Sequence, residues 1–332
     1  MDSLTLLLST FARERWGERI RSADGGLTFL TAEEALASDR PSDADIAFMT
    51  REVTGKSSSN NPTPELRGFD AVVRRSPRLK WLQIHPAGAE RPIYRELRGR
   101  GVKVTTASGA TAMTVAHSVL GAVIAINRRF PLLADAQRRH AWEPRLGERS
   151  PRDLKGQRAV IVGMGPIGRT IATLLKALGM GTIGVRRSAE RVTECDRTVA
   201  YGDLPAVLPE ADWLILCCPA SSVTRGIANT GVFAAMPQGS HLVNVSRGEI
   251  AVEKDVIAAL QSGRLAGAYL DVFEREPLDG ASPLWDMPNV LISPHTASHS
   301  LGQNEAIFEI FLDNLARFRR GQKLRNDVDD LG

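Results

Sequence analysis

Two periodicities alternate along the chain. Short apolar runs at 4–8, 27–30, 46–49, 79–84 and 102–105 are separated by stretches around 12–21, 32–37, 65–74 and 93–98 whose apolar residues recur at helical spacing. Unbroken apolar runs of this length suit strands buried on both faces, and strands alternating with helices predict a parallel sheet covered on both sides. Ser57-Ser58-Ser59-Asn60-Asn61-Pro62 reads as a polar loop. A long apolar segment, 112–126, ends at Asn127-Arg128-Arg129 ahead of Pro131. It is too short and too polar to span a bilayer and reads as a buried helix joining two domains. Residues 131–153, rich in Arg and Pro, read as an exposed connection. A second strand–helix alternation starts at Arg158, with strands expected at 159–162, 182–185, 213–217, 242–245, 268–272 and 290–292. The last amphipathic run, 304–318, carries Ile307, Phe308, Phe311, Leu312 and Leu315 on one face and stops at Arg319-Arg320-Gly321. No repeat of fixed period is visible.

The length of 332 residues suits about two domains. An apolar fraction of 43% with 24% charged residues excludes a disordered or collagen-like chain. Lys plus Arg number 42 against 38 Asp plus Glu, a net charge of +4, and 35 of the basic residues are Arg. They form pairs (Arg74-Arg75, Arg138-Arg139, Arg186-Arg187) rather than tracts, which argues against a nucleic-acid partner. Met1-Asp2-Ser3 and the short run 4–8 lack the basic region and length of an export signal. Three sparse cysteines, Cys195, Cys217 and Cys218, suit a reducing compartment, so a cytoplasmic protein without a membrane partner is expected.

Candidate chemistry begins where the run 159–162 meets Gly163-Met164-Gly165-Pro166-Ile167-Gly168. Between a strand and a helix each glycine of this string has a mechanical task. The first permits the tight turn, the second lets a pyrophosphate approach the backbone, and the third lets helix pack on strand. The helix terminus then presents unpaired N–H groups and partial positive charge to the phosphates. Sites selective for NAD place a carboxylate at the end of the next strand, where this chain has Arg186-Arg187-Ser188. Two guanidinium groups and a hydroxyl suit a 2′-phosphate, so NADP(H) is the expected cofactor, with NAD(H) the alternative.

Ligands of open α/β sheets gather at the carboxyl ends of the strands. Reading those positions selects Pro219, Ser246-Arg247, Asp271 with Glu276 just beyond, and Pro294-His295. A guanidinium can hold a carboxylate, an imidazolium can protonate a developing alkoxide, and a carboxylate behind the ring favours its charged form.

These residues carry a resemblance. The chain resembles the D-isomer-specific 2-hydroxyacid dehydrogenases over nearly its whole length. The likeness runs through Asp153-Leu154-Lys155-Gly156, residues 243–249 (Val-Asn-Val-Ser-Arg-Gly-Glu), residues 267–278, then 282–285, 288–290 and Ser293-Pro294-His295-Thr296-Ala297. It implies an α/β fold of two doubly wound parallel-sheet domains, a Rossmann cofactor domain at 107–296 inserted in a flavodoxin-like substrate domain formed by 1–106 and 297–332. It also implies that Arg247, Glu276 and His295 are catalytic, with His295 the acid of reduction, Glu276 its partner and Arg247 the holder of the 2-oxo acid. Gly88 and Ala89, with Arg247 and His295, would bind substrate. Cofactor contacts are expected from Gly163, Gly165, Pro166, Ile167, Gly168, Arg186, Arg187, Ser188, Pro219, Val245, Ser246, Arg247, Asp271 and His295, with Asp271 near the nicotinamide amide. Members of the family are typically homodimers paired through the cofactor domain.

The chain also departs from the family. It has Val115-Ala116-His117 where relatives often have Val-Ala-Glu, and His117 reads as a packing or interface residue. His85, beside the carboxylate loop, is a candidate substrate contact, whereas His140, His241 and His299 read as structural or exposed. Trp142 resembles an aromatic that some reductases of the family lend to the neighbouring subunit. No Cys/His spacing suggests a metal. The expected activity is NAD(P)H-dependent reduction of a small 2-oxo acid, glyoxylate or hydroxypyruvate, to the D-2-hydroxy acid. The alternatives are another 2-hydroxy acid (3-phosphoglycerate, D-lactate) or a non-catalytic, dinucleotide-sensing corepressor.

Overall fold

The structure is a computed structural model that describes residues 3–38, 40–55, 62–89, 91–144 and 150–331. The polar segment 57–61 and residues 145–149 of the connection lie outside the described residues. The chain forms two compact units, one made of Met1–Ala110 with Leu301–Gly332 and the other of Thr111–Ser300.

The first unit contains β1 (Leu4–Leu8), β2 (Leu27–Thr31), β3 (Ile46–Met49), β4 (Trp81–Ile84) and β5 (Lys103–Thr105), all parallel, in the order β2-β1-β3-β4-β5. This is the flavodoxin-like order. The strands read as continuous apolar runs because alternate residues enter two different cores. Leu7, Ala47, Met49, Leu82 and Ile84 lie in one, and Leu6, Leu8, Ile46, Phe48 and Trp81 in the other. Helix Gln303–Arg319, from the far end of the chain, closes the second core by stacking Phe308 on Trp16 and Phe311 on Phe48. Its buried Asn314 donates to the Oε1 of Gln83 on β4 (3.0 Å), which also accepts from Thr105 (2.8 Å). That satisfied polar network fixes the helix against the strands.

The second unit carries β6 (Arg158–Val162), β7 (Gly181–Arg186), β8 (Arg197–Ala200), β9 (Trp213–Leu216), β10 (Ser240–Asn244), β11 (Leu265–Leu270) and β12 (Val290–Ile292). They form one parallel sheet in the order β12-β11-β10-β9-β6-β7-β8. This is the Rossmann order extended by one strand, with its switch point at β6, between β7 and β9. Val162, Ile215 and Tyr269 illustrate the alternation between the two cores, Val162 lying on one side of the sheet and the other two beneath helix Ala112–Asn127. Register places the strand ends together: Val162 pairs with Val185 and Leu216, Asn244 with Leu216 and Leu270, and Leu270 with Ile292. The residues that follow these positions therefore share one edge.

Two elements lie where the apolar pattern gave none. The described part of the connection is largely exposed as expected, but it begins with a helix that the pattern did not give, Phe130–Arg138, with Pro131 in its first turn, where a missing N–H costs no hydrogen bond. Strand β8 occupies a stretch the apolar pattern passed over, since an edge strand need not be buried on both faces and Arg197 is exposed. Among the described residues no helix is long and apolar enough to cross a membrane.

Candidate active site

β6 delivers the chain into the glycine loop. Gly163 has φ +108°, and a Cβ there would sit 2.6 Å from the Cys218 nitrogen. A Cβ on Gly168 would overlap the Gly163 carbonyl oxygen, so only glycine lets helix Pro166–Ala177 close on the strand. Gly165 is the opposite case: it is exposed, and nothing lies within 4 Å of where its Cβ would stand. No side chain caps the helix at Gly165, which leaves its first N–H groups to an anion. Pro166 is exposed beside it and Ile167 half-buried. The cradle therefore fits a pyrophosphate.

At the end of β7, Arg186 is half-buried with its Nη1 3.4 Å from Glu190, while Arg187 and Ser188 are exposed. Pro219 is exposed just beyond β9, its carbonyl accepting from the Thr224 hydroxyl (2.7 Å). Beyond β10, Val245 and Ser246 are buried, and the Ser246 hydroxyl donates to Asn244 Oδ1 (2.7 Å). Asn244 Nδ2 reaches the Arg247 carbonyl (3.2 Å), shaping the turn from which Arg247 emerges. The Arg247 guanidinium is steadied by donating to the Ser246 carbonyl (2.8 Å).

His295 and Glu276 meet, with Nδ1 2.8 Å from Glu276 Oε2. The hydrogen bond to Glu276 raises the imidazole above its ordinary value, with burial and the Arg247 charge pulling it down and Asp271 adding to the rise. For Glu276 burial works toward a higher value, but the bond to His295, the Phe273 N–H and Arg247 together hold the carboxyl below the usual range. Arg247 thus acts electrostatically on both partners, and the three side chains form one charged group.

Apolar patterning gives no sign of how the His295 loop is held. His295 is a non-glycine residue at φ 54°. Its N–H donates to the Asp271 carbonyl (2.8 Å), and the next two N–H groups, of Thr296 and Ala297, donate to Asp271 Oδ1 (2.8 and 3.0 Å). Asp271 is thus a buried anchor as well as a candidate cofactor neighbour.

In the first unit, Gly88 and Ala89 are part-exposed in the loop after β4. His85 Nε2 lies 2.7 Å from Thr54 Oγ1, and burial, helped by Arg51, lowers the ring to about 4. His117 is exposed, so it does not pack within its chain, because its helix turns that face away from the core. His140 and His299 are exposed as well, and Trp142 is 95% exposed. His241 stacks on Trp213 at 4.2 Å and is lowered to about 4, mainly by burial. Cys195 and Cys218 are buried, and burial raises Cys218 to about 11, which makes it a poor nucleophile at neutral pH.

The chain is similar to a family of known proteins. Residues 120–297 match the family model described as D-isomer specific 2-hydroxyacid dehydrogenase, NAD binding domain. A glyoxylate reductase of Korarchaeum cryptofilum is 31% identical over 76% of this chain and 76% of its own. Among solved structures, an NADPH-dependent glyoxylate/hydroxypyruvate reductase from Sinorhizobium meliloti, in complex with NADP and sulfate, superposes with a TM-score of 0.75 at 28% identity, covering 99% of both chains. A D-isomer specific 2-hydroxyacid dehydrogenase from Xanthobacter autotrophicus, in complex with NADPH and MES, gives 0.77 at 26% identity over 98% of both.

Proposed function

Because the chain belongs to the D-isomer-specific 2-hydroxyacid dehydrogenase family, we propose that it reduces glyoxylate or hydroxypyruvate to the D-2-hydroxy acid with a preference for NADPH. The observation that carries the reading is the His295–Glu276 pair beside Arg247, on the same sheet edge as the glycine loop. A nicotinamide dinucleotide held at Gly163, Gly165 and Gly168 supplies the hydride. Glu276 accepts from Nδ1–H, so Nε2 is the nitrogen that exchanges a proton with substrate. As the carbonyl carbon of the 2-oxo acid gains the hydride, imidazolium Nε2–H gives its proton to the forming alkoxide, and neutral His295 takes it back in oxidation. Arg247 offers a planar fork to the acid's carboxylate. Gly88 and Ala89, in the first unit, are proposed as further carboxylate contacts through their backbone N–H groups.

The preference for NADPH rests on Arg186, Arg187 and Ser188 at the end of β7. Two of the similar solved structures hold NADPH or NADP. The test is to mix the protein with NADPH or NADH and a panel of 2-oxo acids, following oxidation of the cofactor. Turnover of glyoxylate or hydroxypyruvate with NADPH supports the reading, and Arg187→Asp should then weaken NADPH about tenfold while sparing NADH. Activity with NADH alone removes the arginine argument. Turnover confined to 3-phosphoglycerate or D-lactate moves the substrate, and cofactor binding without turnover favours a sensor.

A homodimer is proposed on a separate observation. Met113, Phe130, Leu133 and Trp142 are all exposed within one short stretch at the start of the second unit. Exposed Met and aromatic side chains are enriched at protein interfaces. Light scattering should give twice the 36.1 kDa chain mass, and Trp142→Ala with unchanged substrate preference would remove Trp142 from the site.

A further inference from the structure

The interior of β11 holds a tyrosine that the reaction scheme does not use. Tyr269 is buried on the face of the sheet covered by helix Ala112–Asn127, yet its hydroxyl lies 2.8 Å from the Ser293 hydroxyl. Ser293 in turn donates to Asp271 Oδ1. A carboxylate oxygen only accepts, so Ser293 spends its one proton on Asp271 and accepts from Tyr269, whose hydroxyl has Ser118 as a second hydrogen-bond partner. The same Oδ1 receives the N–H groups of Thr296 and Ala297. On the other side, Ser118 of helix Ala112–Asn127 donates to the Ala297 carbonyl (3.1 Å). His295, between these fixings, has left-handed backbone, a conformation that persists only where its surroundings over-determine it.

We propose that Tyr269 is a positioning residue for His295, acting through Ser293 and Asp271 to hold the strained loop that aims the imidazole at Glu276 and substrate. Burial favours the neutral phenol, so the donor is present across the working pH range. The groups that set the His295 charge are Glu276, Arg247 and Asp271. A looser loop makes the Glu276 bond less often and leaves burial and Arg247 to dominate.

The proposal rests on the reading of His295 as the proton donor, and the test separates the two. Tyr269→Phe keeps the ring in the core and deletes only the hydroxyl. Histidine-labelled protein is titrated by NMR, the His295 signal being assigned from its loss in His295→Ala. In Tyr269→Phe the His295 midpoint should fall by about 0.5 pH unit, and kcat for the 2-oxo acid by about threefold to tenfold, with NADPH affinity within about twofold of wild type. Ser293→Ala should do the same, and the double variant should be no worse than the worse single, because both cut one chain. An unchanged midpoint and kcat in Tyr269→Phe overturns the proposal, as do additive losses in the double variant. A wild type inert toward every 2-oxo acid overturns the functional reading alone, since the midpoint is measured without substrate.

Discussion

Among the residues of the site, Glu276 makes the sharpest difference to chemistry. In the proposed mechanism reduction needs the imidazolium of His295, so its rate should fall as pH rises through the His295 value, which the Glu276 bond places above the ordinary one. Glu276→Gln removes the charge and weakens that bond, while burial and Arg247 still favour the neutral ring. The descending limb of kcat/KM for reduction should therefore move to lower pH by about one unit or more. Oxidation needs the neutral ring, so its ascending limb should move down as well. Profiles measured in both directions check this, and a limb that stays in place assigns the titration to another group. Arg247, Glu276 and His295 could be picked out in the sequence because they follow strands, where a ligand must sit, and because the surrounding motifs are specific, and the structure brings His295 and Glu276 within hydrogen-bond distance. Tyr269 was not. An aromatic inside a strand looks like core from either side, and only the fold brings its hydroxyl to Ser293.

At the scale of elements, the strands were legible wherever both faces are buried, as in β3, β4 and β6, whose apolar runs need no partner to be recognised. Legibility failed where tertiary position overrides pattern, in edge strand β8 and in helix Phe130–Arg138, whose proline marks a beginning rather than an end. Two elements also set measurable costs. Gly168 is where helix Pro166–Ala177 crosses the Gly163 carbonyl, and a methyl group there must push the backbone aside. Gly168→Ala should weaken NADPH binding by about tenfold or more, read by quenching of protein fluorescence, because the displaced atoms belong to the phosphate cradle itself. Phe311, fully buried between Phe48 and Trp81, pins the C-terminal helix to the first sheet. Phe311→Ala should cost about 3–5 kcal/mol in denaturant unfolding, the loss expected when a large ring leaves a cavity. A cost below about 1 kcal/mol would mean the helix is held by its polar contacts, chiefly Asn314, instead.

For the whole molecule the decisive feature is that, among the described residues, each unit has buried cores of its own. The cores on either side of β6–β12 draw every buried member from residues 115–297. Those of the first sheet draw theirs from residues 7–104 in one core and, in the other, from 4–107 together with the C-terminal helix and Leu324. A unit that buries its own apolar surface carries its own stabilisation, since the hydrophobic term scales with area removed from water within it. The second unit is moreover continuous in sequence, so cutting it out breaks no strand of its sheet. The fragment 111–300 should therefore fold alone, unfold in one cooperative step and bind NADPH within about tenfold of the full chain, because the glycine loop and the end of β7 lie inside it. It should not turn over 2-oxo acids efficiently if Gly88 and Ala89 hold the carboxylate, since both are left behind. Near-ultraviolet dichroism and a cofactor titration on the fragment measure the two halves of the claim separately. A fragment that keeps helical signal but loses fixed aromatic packing would show that the second core needs the first unit after all. A folded fragment that reduces glyoxylate at the full rate would instead remove Gly88 and Ala89 from the reaction, leaving substrate capture to Arg247 alone.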